Sequence, residues 1–226
     1  MPKTCAIVGI GGLGAPAAAL LGSFGDCNLR LLDDDCVDLS NLPRQPLFGE
    51  MDIGQRKAEV AARHIQDRLP GLSVEFREER LSTANAANLL AGADVVIDGT
   101  DNLGSKRFLN QWCCADRTPL IHAGASGWDG QLTTILPGQS ACLACLFGDL
   151  ADEIGGAETP NCEQDGILGP VVGAIGLAAA REAIALMRGE SPALAGRLAI
   201  LDGRTQRWRS LNTRRRPECP ACGKLA

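Results

Sequence analysis

The sequence predicts an α/β fold: a mostly parallel sheet with helices on both faces, extended by antiparallel strands. Three observations predict it. Apolar strand-like runs alternate with helical patterns over the first half of the chain, which is the signature of a parallel sheet covered by helices. The first of these runs ends in closely spaced glycines. Beyond residue 123 the alternation stops, and short strand patterns finish the chain beside two pairs of cysteines.

Each element follows from its own pattern. TCAIVGI (4–10) is a short apolar run that opens a small-residue helix, APAAALLGSFG, and NLRLLD (28–33) is a second strand. Residues 55–69 form an amphipathic helix, with Ala58, Ala61, Ala62, Ile65 and Leu69 on one face. SVEFRE (73–78) alternates like a strand, DVVID (94–98) is a buried strand, 103–115 a helix, and PLIHA (119–123) a further buried strand. QLTTILP (131–137) has no helix before it and is expected to add antiparallel. Residues 147–167 are rich in Gly, Asp, Glu and Pro and form a long loop, of the kind that usually carries function. A buried helix over 167–187 and a hairpin of RLAILD and QRWRSLN complete the chain.

Composition bounds the function. At 226 residues, 45% hydrophobic and 22% charged, the chain suits one sizeable core. We expect a single domain over 1–226, with an N-terminal half (1–123) and a C-terminal half (124–226) crossed by the loop 147–167. The net charge of −5 speaks against general nucleic-acid binding, and Arg214, Arg215 and Arg216 are the only dense basic cluster. Met1-Pro2-Lys3 leads straight into a strand, so no secretory signal is expected. The most apolar segment, 167–180, reads as too short to span a bilayer and runs into Arg181 and Glu182. Ten cysteines without an export signal point to a reducing, cytoplasmic setting, and to metal or catalysis before disulfides.

Gly9, Gly11 and Gly14 fit GxGxxG between a strand and a helix, with Gly12 inside the motif. Glycines let a backbone approach phosphates, and the helix behind them offers free N–H groups. Asp33 ends the second strand, where such Rossmann-like sheets place a carboxylate on ribose hydroxyls. These features alone would favour an NAD-dependent dehydrogenase. The following stretch, DDDCVDLSNLPRQ, argues otherwise, because hydride transfer leaves the phosphates intact and needs no Arg44 or Lys57 beside them. Attack on phosphorus needs cations where charge develops and a carboxylate to hold Mg²⁺, for which Asp101 in DGTDN is the candidate. Taken singly, Arg44 could be an ion pair with Asp34 or Asp38, and Lys57 a solvated helix position.

GIGGLG, DDDCVDLSNLPRQ, GQRKAE and DGTDNLGSKRFLN, in that order and spacing, resemble the ThiF/MoeB/HesA adenylyltransferases, relatives of ubiquitin-activating enzymes. The similarity runs from about Cys5 to Cys222. It implies that Asp33 binds ribose, that Asn41, Arg44, Gln45 and Lys57 contact the triphosphate, and that Asp101 binds Mg²⁺; Asp35 and Asn102, in the same motifs, join the ATP-site candidates. Arg44, Lys57 and Asp101 are then the catalytic candidates. The implied reaction is attack of a carboxylate on the α-phosphorus of ATP. The implied substrate is the C-terminal Gly-Gly carboxylate of a small ubiquitin-like sulfur carrier protein, in thiamine, molybdopterin or related sulfur transfer. Within the same chemistry the carboxylate could belong to a peptide or a small metabolite, and a non-catalytic or NAD-binding module is the rival class. A homodimer is expected. The chain begins at its first strand, without the helical segment that MoeB-type members carry there, and a separate sulfur donor is expected because no rhodanese-like extension follows Ala226. Pro43, in place of a polar residue, is expected to stiffen the loop.

Cys142-x-x-Cys145 and Cys219-x-x-Cys222 are two knuckles that can together hold a tetrahedral Zn²⁺, with a redox dithiol as the alternative reading. The family pattern agrees at all four positions. Such a centre carries charge −2, which the three arginines and Lys224 are placed to neutralise. Cys162, in ETPNCEQDG, matches the position where some members carry a reactive cysteine. Its neighbours Glu158, Glu163 and Asp165 would raise a thiol pKa, so both a catalytic role and a filler role stay open. Cys5, Cys27, Cys36, Cys113 and Cys114 read as small apolar fillers. His64 and His122 have no evident partners and read as structural. Arg107 and Asn110 are expected to brace the Asp101 loop.

Overall fold

The computed structural model describes residues 2–25, 27–148 and 166–225. In chain order the elements are β1 (Lys3–Val8), α1 (Gly14–Phe24), β2 (Cys27–Leu32), α2 (Lys57–Arg68), β3 (Val74–Arg77), α3 (Ala86–Leu89) and β4 (Val95–Asp98). There follow α4 (Leu103–Asp116), β5 (Leu120–Ser126), β6 (Asp129–Ile135), α5 (Leu143–Phe147), α6 (Gly169–Arg188), β7 (Arg197–Asp202) and β8 (Arg207–Asn212). All strands join one sheet in the order β3-β2-β1-β4-β5-β6-β7-β8. The first five are parallel, and β6, β7 and β8 add antiparallel, as the change of sequence pattern predicts.

Strand alternation separates two cores. Cys5 and Ile7 of β1, Val95 and Ile97 of β4, and Ile121 of β5 face α1, α2 and α6. Ala6, Val8, Val96 and Leu120 face the other way, toward α3, α4 and the cysteine knuckles. α1 and α6 approach closely because their contact is built from small residues. A Cβ on Gly176 would lie 2.5 Å from the carbonyl oxygen of Leu13.

Four features differ from the sequence reading. α3 and α5, and the short 3₁₀ turns Leu39–Asn41 and Glu50–Asp52, were not expected. They are single turns, too short to show a period. β5 runs to Ser126 and β6 begins at Asp129, so the hairpin between them is tighter than the apolar runs suggest. α6 is 20 residues long, and by length and composition it could cross a membrane, contrary to the reading of its apolar stretch as too short. Half of that window is buried inside the protein, and Glu182 within it is 1% exposed and accepts from Thr134 Oγ1 and from the Leu194 N–H, both at 2.8 Å. Cys36 is exposed rather than a filler, in a lone bridge to Arg56.

Candidate nucleotide site and thiol cluster

Strand order reverses between β1 and β4, and loops leaving the carboxyl ends of these strands diverge there, as in other doubly wound sheets. A cavity of about 1380 Å³ opens at that point. It is lined by Gly9, Gly11 and Gly12, by Asp33, Asp35, Asn41, Arg44, Gln45 and Lys57, and by Asp101 and Asn102. Gly14 alone of the nucleotide-site candidates stays outside it. A Cβ there would run into the carbonyl oxygen of Gly9, so its part is close packing of α1 on β1. Gly9 has φ +86°, and a Cβ on it would sit 2.8 Å from the backbone of Gly99, so the glycine turn and the DGTDN loop touch through their backbones. The N-terminus of α1 has no side-chain cap and no acid in its first turn. Ala15 N donates to Gly11 O at 3.0 Å and Pro16 has no N–H, so what the helix offers an anion there is the positive end of its dipole rather than a row of free N–H groups.

Asp33 accepts from the backbone N–H groups of Ile10, at 2.6 Å, and Asp35, at 2.8 Å. These bonds fix the carboxylate, and its remaining lone pairs can still accept. Burial raises its pKa against the pull of Lys57. Lys57, the first residue of α2, is 7% exposed and its Nζ lies 2.9 Å from Asp35 Oδ2, so it is not a solvated position. Arg44 donates to the carbonyl of Ser40 at 2.7 Å and forms no ion pair with Asp34 or Asp38 among the described residues. Its loop is folded by bonds from the Arg44 and Gln45 N–H groups to Asn41 O, and it packs against the start of α6 at Gly169. Asn41 is largely buried and its Oδ1 accepts from Asp38 N, completing a capping box. Gln45 is 3% exposed and its Oε1 has no partner among the described residues. Such a buried orphan fits a site shaped for a polar ligand. Asp101 is exposed on the cavity wall, while Asn102 spends its Oδ1 capping α4 through Ser105 N at 2.8 Å.

Sequence reasoning missed a network beneath this loop. Asp98, fully buried, accepts from His122 Nδ1 at 2.9 Å, from Lys106 Nζ at 3.2 Å and from the Thr100 hydroxyl at 2.7 Å. Lys106 also donates to the carbonyl of Ala123 at 2.7 Å. Burial alone would raise the Asp98 pKa, but Lys106 and the hydrogen bonds from His122 and Thr100 hold it at about 2. Burial pushes His122 down. His122 therefore has a carboxylate partner after all. The network ties the first turns of α4 to β4 and β5 and so fixes the Asp101 loop. The available signal was a polar residue in each of two apolar strands. His64, by contrast, is held between Leu47 O (2.8 Å) and Asp52 (3.4 Å), a structural role. Among the described residues Asn110 accepts from Leu143 N at 2.9 Å, at the first turn of α5, rather than from the Asp101 loop.

The four knuckle cysteines converge in the second core. Sγ separations are 3.5 Å for Cys142–Cys219, 3.5 Å for Cys145–Cys222 and 3.9 Å for Cys142–Cys145. Tetrahedral thiolates about 2.3 Å from zinc would lie roughly 3.8 Å apart, so the cluster fits that ion. Arg216 donates its backbone N–H to Cys145 Sγ at 3.3 Å, and Arg215 clamps the tail through the carbonyls of Gly138, Cys222, Gly223 and Leu225. Two members of the basic cluster are thus used locally. Cys113 and Cys114, fully buried on α4, pack in the same core, as fillers. Cys162 and most of the expected loop lie outside the described residues.

The fold and its cavity are those of a nucleotide-using α/β enzyme. Residues 2–221 match the ThiF family, and the chain belongs to it. It is 42% identical, over 96% of its length and 84% of the other's, to the sulfur carrier protein ThiS adenylyltransferase of Escherichia coli (strain K12). It is 39% identical, over 96% and 79%, to the SAMP-activating enzyme E1 of Haloferax volcanii. Among solved structures, that of the microcin C7 biosynthetic enzyme MccB in complex with N-formylated MccA superposes with a TM-score of 0.86, at 24% identity, over 98% of this chain and 67% of that one; it speaks for the fold. The chain is an adenylyltransferase.

Proposed function

We propose that this enzyme adenylates the C-terminal Gly-Gly carboxylate of a small ubiquitin-like sulfur carrier protein. The observation that carries the reading is one cavity that takes in the glycine turn, Asp33, Arg44, Lys57 and Asp101 and continues past His122 and Gly124 to Phe147. That is room for a nucleotide and an extended tail together. The likeness to the ThiS adenylyltransferase and the SAMP-activating enzyme supports a carrier as substrate.

In this reading a carboxylate oxygen of the tail attacks the α-phosphorus of ATP. The bond to the bridging oxygen breaks, pyrophosphate leaves, and an acyl-adenylate remains. A carboxylate is already anionic at pH 7, so no general base is needed. Asp33 holds the ribose, with Gly9, Gly11 and Gly12 giving the phosphates close backbone approach. Asn41, Arg44, Gln45 and Lys57 face the triphosphate beside Asp35 and Asn102. One well-placed charge-stabilising group in such a site contributes roughly 3–4 kcal/mol. Asp101 would hold Mg²⁺, which offsets charge developing on pyrophosphate. Cys142, Cys145, Cys219 and Cys222 would hold a structural Zn²⁺ whose ligands are all protein. The remainder of the proposal is a cytoplasmic homodimer, a separate sulfur donor, and a carrier-binding half over 124–226.

ATP–pyrophosphate exchange, measured with a panel of Gly-Gly-terminated carriers, free peptides and small carboxylates, tests the reading. Exchange should depend on a carrier. Exchange driven equally by small carboxylates, or tight NAD binding with no ATP binding, would overturn it.

A further inference from the structure

His122 lies where β5 passes under the far end of the cavity. Its ring is 2% exposed and stands edge-on to Phe147, with centroids 6.5 Å apart. One edge of the ring is committed, since Nδ1 lies 2.9 Å from Asp98 Oδ2. Asp98 is held ionised by Lys106 and Thr100, and an ionised carboxylate only accepts, so the shared proton sits on Nδ1. Burial keeps the imidazole neutral, which leaves Nε2 with a bare lone pair. Nε2 is buried and has no partner among the described residues. Lys106 cannot supply one while its Nζ serves Asp98 and Ala123 O.

A buried acceptor left open beside a binding cavity calls for a donor from the ligand. The reacting carboxylate cannot be that donor, because it is itself only an acceptor. An extended peptide tail does carry donors, its backbone N–H groups, just upstream of the carboxylate. Gly124, the next residue on the same face of β5, also lines the cavity and adds no side chain of its own beside the ring. We infer that His122, oriented by Asp98, accepts a hydrogen bond from a backbone N–H of the substrate's tail and so is a specificity-determining residue for a peptide-borne carboxylate. The inference rests on the proposed adenylation of such a tail. It makes His122 a group that grips substrate without touching phosphorus.

The test pairs a variant with a substrate change in the exchange assay. His122→Asn keeps an amide donor for Asp98 but has nothing at the position of Nε2. It should raise KM for the carrier about fivefold, in keeping with a neutral hydrogen bond, with kcat and the KM for ATP within about twofold. Semisynthetic carriers with an ester in place of each of the last three amides should show one position at which wild type loses about the same factor. His122→Asn should lose nothing further at that position, and His122→Gln, whose side chain can again present an oxygen there, should recover part of the loss. A shift in the ATP KM instead, or equal ester effects in wild type and variant, would sink the assignment. Should His122→Asn fail to fold, an ester series without effect on wild type would do the same. If wild type shows no exchange with any Gly-Gly tail, the adenylation reading fails and takes this inference with it; exchange that ignores both changes removes the inference alone.

Discussion

Lys57 Nζ lies 2.9 Å from Asp35 Oδ2, and the two side chains are unequally exposed, 8% for the lysine and 66% for the aspartate. The pair is therefore a cation held at the cavity wall by a carboxylate that water can also solvate. Losing the lysine leaves Asp35 solvated but takes from the largely buried Asp33 carboxylate the cation that favours its ionised form. Lys57→Met should accordingly reduce exchange by about a hundredfold or more and lower the unfolding temperature by roughly 2–4 °C, the equivalent of about 1 kcal/mol. Thermal unfolding beside exchange kinetics checks both halves.

Arg44→Ala and Asp101→Ala should each lower exchange by at least about a hundredfold, the usual effect of removing a group that faces developing charge. Asp101 is exposed, so folding should not suffer. Unchanged rates in both variants would end the proposed mechanism.

Gly14→Ala probes packing rather than ligand contact. The added methyl meets the Gly9 carbonyl, a backbone atom that cannot swing away. Overpacking of this kind costs about 1–3 kcal/mol, or roughly 2–12 °C in a chain of this size. A calorimetric Tm equal to wild type would contradict the packing role.

Freshly purified protein should contain one zinc per chain. Comparable sites gain roughly 10–16 kcal/mol on binding, so Cys222→Ser or a strong chelator should release the tail that Arg215 clamps. Hydrogen exchange over residues 215–225 would report the release, and metal analysis without zinc would refute it.

His122 gives stability a pH dependence of fixed sign. Its pKa is lowered in the folded protein, so below about 6.5 the unfolded chain binds more protons than the folded one. Stability should fall as pH drops from 7 toward 5, by up to about 1.4 kcal/mol per unit from this group. Urea unfolding should show a flatter profile for His122→Asn.

Much of the molecule was legible in local sequence. Alternation of strand and helix patterns gives the parallel half. The break after PLIHA gives the antiparallel edge, and the paired CxxC spacings give the thiol cluster. Arg44, Lys57 and Asp101 could be singled out because each falls in a short motif whose chemistry can be read without knowing its neighbours. The misses share a cause. α3 and α5 are single turns whose existence depends on what they pack against, and α5 starts where Asn110 accepts from Leu143.

The sequence by itself determined which segments are buried strands, where glycines let the backbone turn tightly between β1 and α1, and which thiols travel in pairs, since each is a property of adjacent residues. Only the tertiary structure decided that Lys57 is buried, that Gly14 packs tightly against the Gly9 carbonyl, and that Asp98 and His122 belong together. Asp98 and His122 face each other because β4 and β5 pair in parallel with those two residues in register. Register is fixed by burial of the apolar positions on both faces of the sheet, where a slip of one residue would turn every side chain to the wrong side. The polar pair follows from that constraint, and no local pattern announces it.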